Sequence, residues 1–468
     1  MAGGPDVSVK LRNAERDNAE YHYDTWAQLG RNMLIIAIVS VVTWAFVSVV
    51  REGIHLAYEA TLGVFSETGE ELGKHELDHY MWIAFAVLIV GAIVRTILLQ
   101  LPSWQQYRGD GMGRALDSIH NSYEESDQDQ PQRFKDETFL GAIKRSVLTI
   151  LTVGTGGSGG IEAPVVPIGE SIGAGFSKIF GTITREDIRL FQIAGIAAAV
   201  STLLEAPFTA ALFAAEVIYH GRVLYRTLTY SLLASIFAYA LNNHFLDIQP
   251  LFTAEHHPLS YSPLEYFEIA AVAFICCTPA ALLLGWVSTK MKQLFKVIPV
   301  IAQPVIGALG TGCIALGLWF GLEINPQHIL GVSEETIELI LHDEGESYLQ
   351  VWWILALLVV GKMLATAFTL VSGGSAGMLV PAMYIGALSG AVVYHLMAMI
   401  GLDLSGHVSL YVVAGLASAL VAIASVPMAA IALVLEVFGA AYGPPAIVAC
   451  ILTYKLSRRY QLYRLNDN

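Results

Sequence analysis

The feature that most limits what this chain can become is a recurrence of apolar runs long enough to cross a bilayer. "MLIIAIVSVVTWAFVSVV" begins at Met33, "YMWIAFAVLIVGAIV" at Tyr80, "YFEIAAVAFICCTPAALLLGWV" at Tyr266 and "VWWILALLVVGKMLATAFTLV" at Val351. Each approaches the roughly 20 residues that span hydrocarbon. Such a chain is expected to fold as an all-α polytopic membrane protein with no large water-soluble domain. Composition agrees: 55% of residues are hydrophobic and 14% are charged, against about 25% charged in soluble domains. The first thirty residues are polar and lack the apolar core of a secretory signal. Cys276, Cys277, Cys313 and Cys450 lie in apolar segments without metal-binding spacing.

Charge sets an expected orientation. The formal net charge is −14, and Lys74 is the only Lys or Arg in the acidic stretches 52–79, 243–263 and 323–349. Basic residues gather at Lys10, Arg12 and Arg16, at Arg222 and Arg226, at Lys290, Lys292 and Lys296, and at Lys455, Arg458 and Arg459. Basic loops stay in the cytoplasm. Both termini are therefore expected inside and the acidic loops outside a cell (inner) membrane. The expected order is a cytoplasmic segment over 1–30, a first membrane repeat over 31–242, an external loop over 243–263, and a second repeat over 264–465.

The repeat is read from two blocks. "GGSGGIEAPVVPIGESIGAG" from Gly156 aligns with "GGSAGMLVPAMYIGALSGAV" from Gly373, and Pro164 and Pro381 differ by 217 positions. "IAGIAAAVSTLLEAPFTAALFAAEV" from Ile193 aligns with "VAGLASALVAIASVPMAAIALVLEV" from Val413. There Pro207 and Pro427 differ by 220, as do Glu216 and Glu436. Matched segments interrupted by Gly and Pro point to a transport site near the bilayer midplane. A helix that starts inside the membrane aims free N–H groups and its positive dipole end at that spot, and two such starts suit one anion. Small-residue packing explains the later glycines. It does not explain Glu162, a carboxylate just before a helix-starting proline, which marks function inside a membrane.

These residues resemble the CLC family of chloride channels and proton-coupled chloride exchangers. "GGIEAP" from Gly159 is similar to the family's G-R-E-G-P, with Ile161 and Ala163 replacing Arg and the second Gly. "GMLVP" from Gly377 is similar to G-x-F-x-P, with Leu379 for Phe. The two blocks ending in Glu216 and Glu436 resemble the family's A-P-L blocks, and "QLYRL" around Tyr463 resembles its last helix. The resemblance implies a CLC-like inverted repeat of about eighteen tilted and re-entrant helices in a homodimer. Each subunit would hold one pathway for chloride or a related small anion, with protons as a further partner in exchangers. It makes Glu162 the gate. Gly160, Ile161, Ala163, Met378, Leu379 and Tyr463 would surround the anion. No cofactor and no nucleic-acid partner is expected.

Three departures shape the expectation. Val217 stands where exchangers of the family have an inner proton-carrying glutamate, which favours a passive channel. Asp110, in "GDGMG", stands where the family offers a serine to the central anion. It raises a different ion as the alternative, or a weakened central chloride site with backbone N–H groups near Glu162 and Met378 carrying more of the binding. A protonated Asp110 and capping of its own helix are the other readings. Glu205 occupies a position that is ordinarily uncharged. A reading from another class comes from "HELDH": His75, Glu76 and His79 match a zinc-hydrolase signature, with His256 or His257 as a third ligand. The simpler view is a polar loop ahead of the helix at Tyr80. The stretch from His120 to Glu137 reads as a solvated loop. Glu216 and Glu436 fit capping as well as transport, and Glu170 fits either the pathway or a bond within its helix. Lys362 and Arg95 are expected to snorkel or to pair with acids.

Overall fold

The computed structural model describes residues 25–65, 73–121, 137–180, 185–219, 224–246, 252, 262–342, 347–402 and 407–457. The first half contains α1 (Trp26–Leu62), α2 (Lys74–Gln100), α3 (Met112–Asn121), α4 (Phe139–Thr149), α5 (Glu162–Phe180), α6 (Arg185–Leu204), α7 (Pro207–Tyr219) and α8 (Tyr225–Phe245). The second contains α9 (Pro263–Val272), α10 (Thr278–Phe295), α11 (Gln303–Leu322), α12 (Glu334–Leu341), α13 (Trp352–Val371), α14 (Leu379–Met399), α15 (Val408–Ala424), α16 (Pro427–Leu433) and α17 (Gly443–Ser457). Seven helical runs among the described residues are long and apolar enough to cross a membrane, among them the 40-residue run Trp26–Phe65. Three apolar helical runs, Pro207–Tyr219, Val408–Ala424 and Pro427–Phe438, are shorter. Every residue of α15 is buried, which is why its sequence is apolar all round.

The halves are built alike, and bonds between equivalent residues show it. Gly160 N–H donates to Gly377 O at 3.0 Å, and Gly377 N–H donates to Gly160 O. These are equivalent residues, since 377 − 160 = 217. Ser158 N–H donates to Thr369 Oγ1 and Ser375 N–H to Thr152 Oγ1, each at 3.1 Å. Glu216 accepts the N–H groups of Met428 and Ala429, at 3.1 and 2.8 Å. Glu436 accepts those of Phe208 and Thr209, at 3.0 and 2.8 Å. Only a two-fold operation that exchanges the halves produces all three reciprocal sets. Glu216 and Glu436 thus each cap the proline-started helix of the other half, satisfying N–H groups that have no partner within their own helix.

Close crossings repeat with the same symmetry. A Cβ on Gly169 would lie 2.3 Å from Gly195 O, and a Cβ on Gly386 would lie 2.3 Å from Gly415 O. Hence α5 packs on α6, and α14 on α15, with backbones nearly in contact.

One boundary differs from expectation. Residues 74–79 are the first turns of α2, not a loop. Glu76 lies in the first turn, where a negative charge favours the helix N-terminus, and Lys74 bonds Glu323. The first helix begins at Trp26, where Thr25 and Gln28 form a capping box.

Candidate functional site

Glu162 is the first residue of α5, and Leu379 is its equivalent at the first position of α14. Pro164 and Pro381 fall at the third position of their helices, inside the first turn, where a missing N–H breaks no helical bond. The loops ahead of the two helices press together. A Cβ on Gly377 would meet Ala163 Cβ at 2.8 Å, and one on Gly159 would meet Ala376 Cβ at 2.7 Å. Side chains are excluded there, so the two helix starts converge.

The carboxyl group of Glu162 lies in this junction. The residue is 4% exposed, and its Oε2 has no hydrogen-bond partner among the described residues. That oxygen would be 2.2 Å from a Cβ on Gly160. The backbone N–H groups of Glu162 and Val380 lie near the carboxyl. Glu162 therefore sits between the N-terminal ends of two helices from opposite halves. First-turn N–H groups lack intrahelical acceptors, so Ala163 and Leu379 present donors to the same region. Gly160 needs correcting as an anion ligand: its N–H is consumed by Gly377 O, and its contribution is space. Ile161 is half-buried, Met378 precedes α14, and Leu379 is buried. Tyr463 lies outside the described residues.

Asp110 lies between Gly109 and Gly111, both in the left-handed region at φ 79° and 77°. Its Oδ1 accepts the N–H of Met112, 3.2 Å away, at the start of α3. The Arg145 guanidinium stands close by, for a Cβ on Gly111 would lie 2.2 Å from its Nη2. Arg145 also donates to Tyr107 O at 3.0 Å and to Gly109 O. The carboxylate is thus turned to its own helix, beside a cation.

Lys362 is the counterpart of Arg145, since 362 − 145 = 217. It donates to Ile329 O at 3.2 Å, Gly331 O at 2.9 Å and Ser333 Oγ at 2.8 Å. Each cation pins the loop ahead of a short helix, α3 or α12. Lys362 is fully buried and Arg95 is 4% exposed. Neither snorkels, and neither forms an ion pair among the described residues, which corrects the expectation for both. Two backbone carbonyls and a hydroxyl take the place of an acid at Lys362, and Arg95 bonds the hydroxyl of Thr152. The symmetry of these pins was missed in the sequence, although the offset of the glycine blocks, extended backwards, aligns Arg145 with Lys362 and Thr152 with Thr369.

The remaining acids are placed as follows. Glu170 is buried and accepts from Ser118 Oγ at 3.1 Å and Gln192 Nε2 at 2.6 Å. It therefore ties α5 to α3 and α6 in addition to its neighbour Ser171. Glu205 ends α6 at φ 55° and bonds Asn242, whose Oδ1 accepts Trp44 Nε1 at 2.7 Å. Val217 lies in the apolar cluster that includes Leu116 and Ile119. His75, Glu76 and His79 are exposed at the start of α2. No group of three or more potential ligands able to hold a metal occurs among the described residues, and His256 and His257 lie outside them. The stretch 122–136 also lies outside them.

Comparison with known proteins gives concordant findings. The profile of the family described as voltage gated chloride channel matches residues 86–458. The chloride channel protein CLC-f of Arabidopsis thaliana is 25% identical over 454 residues, covering 91% of this chain and 54% of the plant protein. The chain thus spans about half the length of that relative. A CLC-type fluoride/proton antiporter aligns with TM-score 0.71 at 20% identity, over 95% of this chain and 99% of its own. A slow cyanobacterial Cl−/H+ antiporter aligns with TM-score 0.75 at 14% identity, over 92% and 94%.

Proposed function

Given that the chain belongs to the voltage gated chloride channel family, the CLC proteins, we propose that it conducts chloride or a related halide through one gated pathway in each subunit of a homodimer. CLC-family anion transport across a membrane is the common ground; the gate, the passive mechanism and the assembly are our reading. The observation that carries it is the Glu162 carboxyl, buried at the junction of two helix starts with one oxygen unpartnered. An internal carboxylate there competes with a mobile anion for the same N–H groups. Protonation removes its charge and frees the site.

Val217 favours passive conduction over proton exchange, because a proton needs titratable stepping stones and valine offers none. Asp110 weakens a central halide site. A carboxylate about 4 Å from an anion costs roughly 4 kcal/mol at an effective dielectric near 20, and the neighbouring Arg145 offsets part of this. Binding then leans on the first-turn N–H groups at Ala163 and Leu379. Both termini are cytoplasmic on this reading. The starts of α1, α6 and α8 share one side, since Asp187 bonds Arg31 at 3.0 Å and Arg226 at 3.4 Å.

The test is flux from proteoliposomes of the purified chain, with anion and pH gradients varied independently. Halide flux that rises on acidification without uphill proton movement is expected. Proton uptake driven by a halide gradient would overturn the passive mechanism, and absence of halide flux would overturn the function.

A further inference from the structure

Arg95 poses an unsolved problem of charge. It stands near the end of α2 with 4% exposure, and an arginine does not shed its proton in proteins. Among the described residues it makes one bond, from Nη1 to Thr152 Oγ1 at 3.0 Å. Its Nε is buried with no partner. The charged group that acts on it is another cation, Arg108, which donates to Gln303 Oε1 and to Ser372 O. Neither arginine forms an ion pair among the described residues. A buried charge without a counter-charge is strongly unfavourable.

Beside Arg95 lies a small cavity lined also by Thr152, Thr155, Gly157, Thr369 and Ser372. It has room for about one water-sized particle. Four of its ten lining residues carry hydroxyls, and Leu88, Ala92, Leu151 and Ala308 supply an aliphatic side. The hydroxyls of Thr155 and Ser372 donate to Leu151 O and Thr369 O, each at 2.9 Å, and each can rotate to donate to an occupant instead. Thr152 and Thr369 are the two-fold mates that hold Ser375 and Ser158. The cavity therefore sits directly behind the paired loops that bring the helix starts together. None of its lining residues belongs to the gate.

We propose that this cavity binds a single monatomic anion, a halide, as the counter-ion of Arg95. A water molecule of the same size would meet the hydrogen bonds but leave the charge uncompensated. Fluoride is close to water in size and chloride is somewhat larger, so both are tested. The ion would brace the two loops from behind, independently of whether Glu162 is the gate.

The experiment measures melting of the purified full chain in detergent, in fluoride, in chloride, and in gluconate at equal ionic strength. A ligand near 100 times its Kd raises Tm by roughly a few degrees. A halide-dependent rise of that size is expected in the wild type, and its loss is expected in Arg95→Met. Thr155→Val keeps the guanidinium and removes one donor, so its halide midpoint should move to higher concentration. A wild type without a halide response, or Arg95→Met with the full response, would overturn the site. Should Arg95→Met not fold, an unchanged midpoint in Thr155→Val would overturn it. Loss of pH-gated flux in Glu162→Gln would bear on the pathway alone.

Discussion

From Gly156 to Pro164 and from Gly373 to Pro381 the chain follows the same course, yet the two stretches carry different chemistry. Both turn at a left-handed glycine, Gly156 at φ 99° and Gly373 at φ 90°. Both run into a helix with proline in its first turn, and each pairs with the other through Gly160 and Gly377. At the first helical position, however, one has Glu162 and the other Leu379. The pattern extends outward. Asp110 sits between Gly109 and Gly111, whereas Val332 sits between Gly331 and Ser333 in the loop that Lys362 pins. The lesson is a division of labour. Positions that fix backbone against backbone are kept alike in both halves, and positions that face the junction are free to differ. One half supplies the titratable group, and the other supplies matching helix geometry without it.

The largest effect should come from breaking what the halves share. Gly169→Leu and Gly386→Leu each drive a side chain into a carbonyl 2.3 Å from the Cβ position. That is backbone, with no flexible side chain to yield, and overpacking of this kind exceeds the usual 1–3 kcal/mol or so. Both variants should fail to give monodisperse protein by size-exclusion chromatography. Normal behaviour of one alone would mean that the crossings are not energetically equivalent.

The caps come next. Glu216→Ala removes two charge-assisted bonds to Met428 and Ala429 and should cost on the order of 1.5–3 kcal/mol per bond at most, read as a fall in Tm. Glu436→Ala removes the mirror bonds from a more exposed position, and its fall should be smaller. Equal falls would show that burial does not separate the caps.

Asp110→Ser should have the mildest consequence for folding, because serine also caps helices. In halide titration calorimetry its affinity should rise by about tenfold, roughly 1.4 kcal/mol, less than an unscreened carboxylate predicts because Arg145 stands beside it. Unchanged affinity would make Asp110 a cap and nothing more.

Much of the scaffold was legible in the sequence because equivalence leaves a numerical trace. The offsets of 217 and 220 revealed the halves, and Pro164, Pro381, Pro207 and Pro427 fixed the helix starts. What the offsets could not give was contact. Equivalent residues need not touch, so the pairing of Gly160 with Gly377 and the exchange of caps by Glu216 and Glu436 emerged only in three dimensions. Charged residues were read least well. Lys362 and Arg95 looked like surface anchors because membrane cations normally reach for water or an acid. Among the described residues, two carbonyls and a hydroxyl from a distant loop satisfy Lys362, whereas Arg95 bonds Thr152 and keeps its Nε without a partner. The start of α2 was misread for a related reason: "KHELDH" is polar enough for a loop, but its acid lies in the first turn and Lys74 finds Glu323 across 249 positions.

The central claim is that Glu162 is an internal anion that yields its place when protonated. Chloride flux through Glu162→Gln in proteoliposomes, titrated against external pH, tests it most directly. Glutamine keeps the size of the side chain and removes its charge. The account predicts flux above the wild type at neutral pH and a flat response, while wild-type flux rises as pH falls. A Glu162→Gln variant that keeps the wild-type rise on acidification would contradict it.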